Sequence, residues 1–161
     1  MAAARSAGLL VWRRRPAGVE VLIGHMGGPY WARKDDGGWS IPKGEYEPGE
    51  DDLMAARREF AEEIGHPAPQ GETFDLGESR QSTGKVVHAW AVEGDLDATT
   101  AVSNTFTMQW PPGSGTLAEF PEFDRSAWFD LATAARKLVK SQVPFVQRLA
   151  EHLGQPLKVV R

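Results

Sequence analysis

Apolar residues first gather in two short runs, "GLLVW" (8–12) and "VEVLIGH" (19–25), divided by the turn-like "RRRPAG". Runs this short, rich in aliphatic and β-branched side chains, predict the two strands of a hairpin. The chain then turns polar. "MGGPYWARKDDGG", Met26 to Gly38, predicts a glycine-rich loop, and "WSIP" a short strand ended by Pro42. "EPGE" marks a turn, after which "DDLMAARREFAEEI" changes period. At about 100° per residue, Leu53, Ala56, Phe60 and Ile64 fall on one stripe, which predicts a helix burying that face. Acids in its first turn suit the macrodipole, and Gly65 with Pro67 ends it. Downstream, "TFDLGESRQ", "KVVHAWAVEG" and "NTFTMQW" predict strands. The Pro/Gly-rich "PPGSGTLAEFPEFDR" (111–125) predicts a long loop, "AWFDLATAARKL" a strand running into a helix, and "VPFVQRLAEHL" a closing helix. The order β-β-β-α-β-β-β-α-α predicts a sheet with helices packed on its faces.

Composition narrows the classes. The 161 residues predict a single domain spanning 1–161, and 41% hydrophobic with 25% charged residues argues against disorder. A formal net charge of -4 gives no electrostatic reason for a duplex nucleic acid partner. Without cysteine there is no disulfide, thiol nucleophile or zinc–thiolate site. The apolar run from Ala7 to Trp12 is too short for a signal peptide and is followed by Arg13, Arg14 and Arg15 instead of a cleavage site. No run approaches transmembrane length, so a soluble, cytoplasmic protein with no membrane partner is expected.

On the helix, Glu59, Glu62 and Glu63 cluster away from the apolar stripe. Glu59 and Glu63 are i,i+4 neighbours, and like charges at that spacing cost a few tenths of a kcal/mol per pair. One explanation is a solvated face balanced by Arg57 and Arg58. The other is a set of hard oxygen ligands for Mg²⁺ or Mn²⁺, which turns repulsion into coordination.

The full spacing resembles the signature of the Nudix hydrolase family: Gly, five residues, Glu, seven residues, Arg-Glu, an apolar residue, any residue, Glu-Glu, any residue, Gly. Gly44, Glu50, Arg58, Glu59, Phe60, Glu62, Glu63 and Gly65 stand at those positions. Seven identities at background frequencies near 7% arise by chance on the order of once in 10⁸ starting points. The one departure is His66, where the family prefers an aliphatic residue. The resemblance implies an α/β/α sandwich, a mixed β-sheet with helices on both faces. It implies Glu59 and Glu63 as primary metal ligands, joined by the main-chain carbonyl of Lys43, with Glu62 a further ligand or the group that orients water. It also implies a buried ion pair between Arg58 and Glu50 that fixes loop against helix. Family members often place a further carboxylate about six residues before an aromatic such as Trp128. Glu122 stands there, with Glu119 and Asp124 as neighbours, and would complete the metal shell or act as general base.

Several residues are candidates for reading a substrate. Lys43, beside Gly44, places an ammonium where a phosphate could meet it, and Arg33, Lys34 and Lys85 are weaker candidates of the same kind. Tyr30 and Trp31 stand in the polar loop and Trp39 next to the signature, where a base could stack. Trp12, Trp90 and Trp128 fit a core, and Trp110 stands at a strand end. The "WxxPKGxxxPGE" variant resembles branches that hydrolyse diadenosine polyphosphates, and some nucleotide-sanitising members. The expected activity is therefore hydrolysis of a diphosphate linkage in a small nucleotide, with dinucleoside polyphosphates first and oxidised nucleoside triphosphates or nucleotide sugars as competitors. A non-catalytic nucleotide-sensing module is the reading from another class. Such modules usually lose acidic positions that are intact here.

Overall fold

Strand β1 (Arg5–Arg15) sends alternate side chains to opposite faces: Ala7, Leu9 and Val11 enter one core, Leu10 and Trp12 the other. The computed structural model describes residues 4–157, so the ends of the expected domain, residues 1–3 and 158–161, lie outside the described residues. Strand β2 (Gly18–Met26) turns back antiparallel on β1 from Trp12↔Val21 to Arg15↔Gly18. Beyond that point the two strands part. The freed edge of β1 takes up β4 (Lys43–Glu45), with Gly8 opposite Lys43 and Ala7 opposite Gly44.

The other edge of β1 pairs in parallel with β6 (Val86–Glu93), from Arg5↔Val86 to Trp12↔Glu93. Strand β5 (Thr73–Arg80) closes that side antiparallel. Strand β2 also carries β3 (Trp39–Ser40) and β9 (Phe123–Asp130). Together these form a seven-stranded mixed sheet.

Helix α1 (Asp52–Ile64) covers one face, packing Ala55, Ala56, Phe60 and Ile64 against Ala7, Leu9, Val11, Leu22 and Phe123. Phe60 is fully buried, and deleting its ring would open a cavity costing roughly 3–5 kcal/mol. Asp51 caps the helix by accepting from the Leu53 N–H, and Gly65 ends it in the left-handed conformation. Helices α2 (Leu131–Lys137) and α3 (Val143–Leu153) cover the other face through Leu131, Ala134, Phe145, Val146 and Leu149. The three layers make the α/β/α sandwich. Among the described residues no helix is long and apolar enough to cross a membrane.

Two expectations need correction. Residues 111–125 are not one irregular loop. Strands β7 (Thr105–Gln109) and β8 (Leu117–Pro121) form a separate antiparallel ribbon, and β9 already begins at Phe123. Phe106, Met108, Ala118 and Phe120 alternate with polar neighbours around the "PPGSG" turn, which is a hairpin pattern hidden by its Pro/Gly content. Glu63 does not lie on the solvent side of α1; it is buried.

Candidate active site

The site is built where β4 runs into the loop before α1. Gly44 lies so close to the helix that a Cβ at this position would overlap the Glu59 carboxylate. Its neighbour Lys43 donates its backbone N–H to Glu63 Oε2 at 2.9 Å. Both candidate ligands are therefore drawn onto the Lys43–Gly44 backbone, one by the missing side chain and one by a hydrogen bond. Arg58 holds Glu50 at 3.1 Å and Glu59 at 3.1 Å, with Glu62 at 3.8 Å. The expected Arg58–Glu50 pair is thus formed, but it is not buried: the Arg58 side chain is 43% exposed. It fixes geometry more than it adds stability.

Electrostatics ties the distant acid to this turn. Burial pushes the Glu63 carboxyl up to about 8, opposed by the Lys43 N–H bond, with Glu59 and Glu122 adding to the rise. Glu59 is raised by burial and then by Glu62, against the pull of Arg58. Glu122 is raised by burial and lowered by Lys43, while the half-buried Lys43 ammonium is lowered by burial and raised by Glu63 and Glu122. Glu122 reaches this group from the base of the ribbon: its N–H donates to the Asn104 carbonyl and its own carbonyl accepts from the Gly27 N–H, each at 2.9 Å. Its neighbours do other things. The Asp124 carboxylate lies 2.9 Å from Nδ1 of the buried His25 ring, and Glu119 is exposed on the ribbon.

The donors suit a hard divalent cation, since all are carboxylate or carbonyl oxygens and Gly44 leaves a cradle that a side chain would fill. Among the described residues no three such groups already sit at ligand distance.

The Glu63 value makes a prediction for metal-free protein. Its folded pKa lies above the ordinary 4.5, so its contribution to stability is full below 4.5 and is lost as pH rises through about 8. The unfolding midpoint in EDTA should fall across that window, and Glu63→Gln should flatten the fall. A wild-type profile superimposable on that of Glu63→Gln would refute the shift.

The substrate candidates divide. Trp31 and Lys43 line one cleft of about 560 Å³ together with Met26, Arg80, Lys140 and Gln142. Lys34 stands over the Trp31 ring at 5.4 Å, and its carbonyl accepts from His25 Nε2 at 2.6 Å, which anchors the loop. Arg33 is exposed and makes no ion pair among the described residues, and Lys85 pairs with Glu45 at 3.4 Å. Tyr30 is exposed and meets Trp110 edge-on. Trp39 does not join them. It is 2% exposed, packs edge-on against His25 and Phe129, and donates to Asp35, which leaves no face for a base. Arg80 and Lys140 escape sequence reasoning because no motif links the end of β5 or the α2–α3 connection to Lys43.

Comparison with known proteins agrees with this architecture. The NUDIX domain profile matches residues 3–149. A curated 8-oxo-(d)GTP phosphatase of Mycolicibacterium smegmatis is 41% identical over 76 residues, 42% of this chain and 21% of that protein. The chain thus spans about a fifth of that relative's length. The Ap4A hydrolase of C. elegans, in a binary complex, superposes with a TM-score of 0.64 at 20% identity, covering 92% of this chain and 98% of that one. The NUDIX domain of Shewanella oneidensis NrtR, complexed with ADP ribose, gives 0.64 at 15% identity, covering 95% and 90%. The M. smegmatis Nudix hydrolase RenU gives 0.60 at 23% identity, covering 100% and 92%. At such identities the structures speak to the fold alone. The profile match runs from the start of the sheet into α3, and the chain belongs to the Nudix family.

Proposed function

We propose that this protein is a metal-dependent pyrophosphohydrolase of nucleotides with an extended phosphate chain, dinucleoside polyphosphates first. The observation that carries the reading is the pair Glu59 and Glu63 held against the Lys43–Gly44 backbone, where burial opposes their charge. Glu59, Glu62 and Glu63, with the main-chain carbonyl of Lys43, would hold Mg²⁺, or Mn²⁺ in its place. Such an ion, when bound, neutralises phosphate charge and lowers the pKa of nearby water. Arg58 steadies Glu59 through its 3.1 Å ion pair. The Lys43 ammonium meets the phosphate chain as a point charge, and Arg80 and Lys140 add positive charge in the same cleft. Trp31 offers a ring to one base.

Water attacks phosphorus, the bond to the leaving phosphate oxygen breaks, and the water's proton passes to Glu122. Burial raises Glu122 above an ordinary carboxylate, which makes it a better base. Glu122→Gln should therefore lower kcat by roughly 10²-fold with little change in substrate binding. Glu119→Gln and Asp124→Asn should do much less, and wild-type kcat in Glu122→Gln would remove Glu122 from the mechanism.

A second reading, a sanitising hydrolase of oxidised nucleoside triphosphates, is favoured by the 8-oxo-(d)GTP phosphatase that shares 41% identity over the matched segment. The deciding experiment compares Mg²⁺-dependent turnover of diadenosine tetraphosphate, 8-oxo-dGTP and ADP-ribose, with Glu59→Gln as control. The highest kcat/KM on the dinucleotide supports the first reading, and on 8-oxo-dGTP the second. No metal-dependent turnover of any of them would sink both.

A further inference from the structure

The ribbon β7–β8 gathers its larger apolar side chains on one face. Phe106 stands opposite Phe120 and Met108 opposite Ala118, with the two phenyl rings 6.0 Å apart. These residues stay half exposed. The face is met by the start of the glycine-rich loop. A Cβ on Gly28 would lie 3.0 Å from the tip of the Phe106 ring, and the Tyr30 ring sits edge-on to Trp110 with centroids 5.4 Å apart. Tyr30 is 65% exposed and Trp110 half-buried, so the pair presents aromatic surface to solvent.

The ribbon is tied directly to the acid turn. At its entry Asn104 donates its N–H to the Glu62 carbonyl and Val102 donates to Ile64, both at 2.9 Å. Its exit is Glu122, whose carbonyl accepts from the Gly27 N–H at 2.9 Å, at the start of the same glycine-rich loop. Lys43 lines the cleft that also holds Trp31, the residue next to Tyr30. Two aromatic surfaces therefore flank one loop, one in the cleft and one on the ribbon.

We propose that Tyr30 and Trp110 form a second nucleobase subsite, which stacks the distal nucleoside of a dinucleoside polyphosphate while the Trp31 cleft holds the other. This rests on the pyrophosphohydrolase reading above and adds the residues that distinguish two-base from one-base substrates. A nucleotide with the same phosphate chain but one nucleoside makes no contact at the ribbon.

The test compares diadenosine tetraphosphate with adenosine 5′-tetraphosphate on wild type, Tyr30→Ala, Trp110→Ala and Trp110→Phe. Loss of a stacking ring should raise KM for the dinucleotide roughly 10- to 100-fold, leaving its kcat and both constants for the mononucleotide unchanged. Trp110→Phe should recover most of the loss. Tyr30→Ala alters an exposed side chain and so separates stacking from folding. Calorimetric titration of the same two nucleotides in Ca²⁺ reads the subsite without turnover. Dead enzyme with selective loss of dinucleotide binding in the alanine variants would refute the activity and keep the subsite. Equal weakening of both nucleotides, or no weakening of either, would overturn the subsite.

Discussion

Glu59→Gln or Glu63→Gln is expected to reduce turnover at saturating Mg²⁺ by about 10²-fold or more, the scale of losing an electrostatic contributor in a water-poor site. Both variants should fold. Each replaces a carboxylate whose ionisation burial opposes with a neutral group of the same shape. In Glu63→Gln the introduced amide oxygen can still accept from the Lys43 N–H that Glu63 now uses. Metal-free stability should therefore hold or rise, most clearly for Glu63→Gln at high pH. The measurements are steady-state kinetics across a Mg²⁺ titration and thermal unfolding in EDTA. Near wild-type turnover in either variant would show that the carboxylate is not a ligand.

Gly44→Ala is expected to separate stability from activity even more sharply. The backbone at position 44 is not left-handed, so alanine meets no conformational barrier there. The new methyl group meets the end of a flexible side chain, the Glu59 carboxylate, which can swing away at little cost to folding. That movement removes a candidate ligand from its place. A displacement on the order of 1 Å can lower a rate by about 10²-fold. The unfolding midpoint should shift by only a degree or two, on the order of 0.5 kcal/mol. Full activity in Gly44→Ala would mean that Glu59 need not rest where it does.

Much of this site is legible from residue order because it is local. The turn, helix and acids lie between Lys43 and Gly65, and Gly65 marks the helix end by chemistry alone. What is not legible comes from pairings distant in sequence. Glu63 lies at the margin of the acidic arc, and only the arrival of β4, which pairs where β2 has left β1, brings the Lys43 N–H to it. Trp39 stands beside the signature, but its pairing with His25 turns it inward. The ribbon is masked by its turn composition. Arg80 and Lys140 reach the cleft from the end of β5 and from the α2–α3 connection, both far from Lys43 in sequence.

The parallel pairing of β1 with β6 has a consequence for how the chain is made. Hairpin β1–β2 can close as soon as it leaves the ribosome, because its turn is short. The opposite edge of β1 must wait for Val86, about 80 residues after its partner Arg5. At bacterial or eukaryotic synthesis rates that wait is on the order of 4–16 s. Throughout it, a strand whose residues from Ala7 to Val11 are all buried in the finished protein has an unpaired apolar edge. This nascent edge is open to pairing with another chain, so the interval between β1 and β6 is the stage of synthesis most exposed to aggregation.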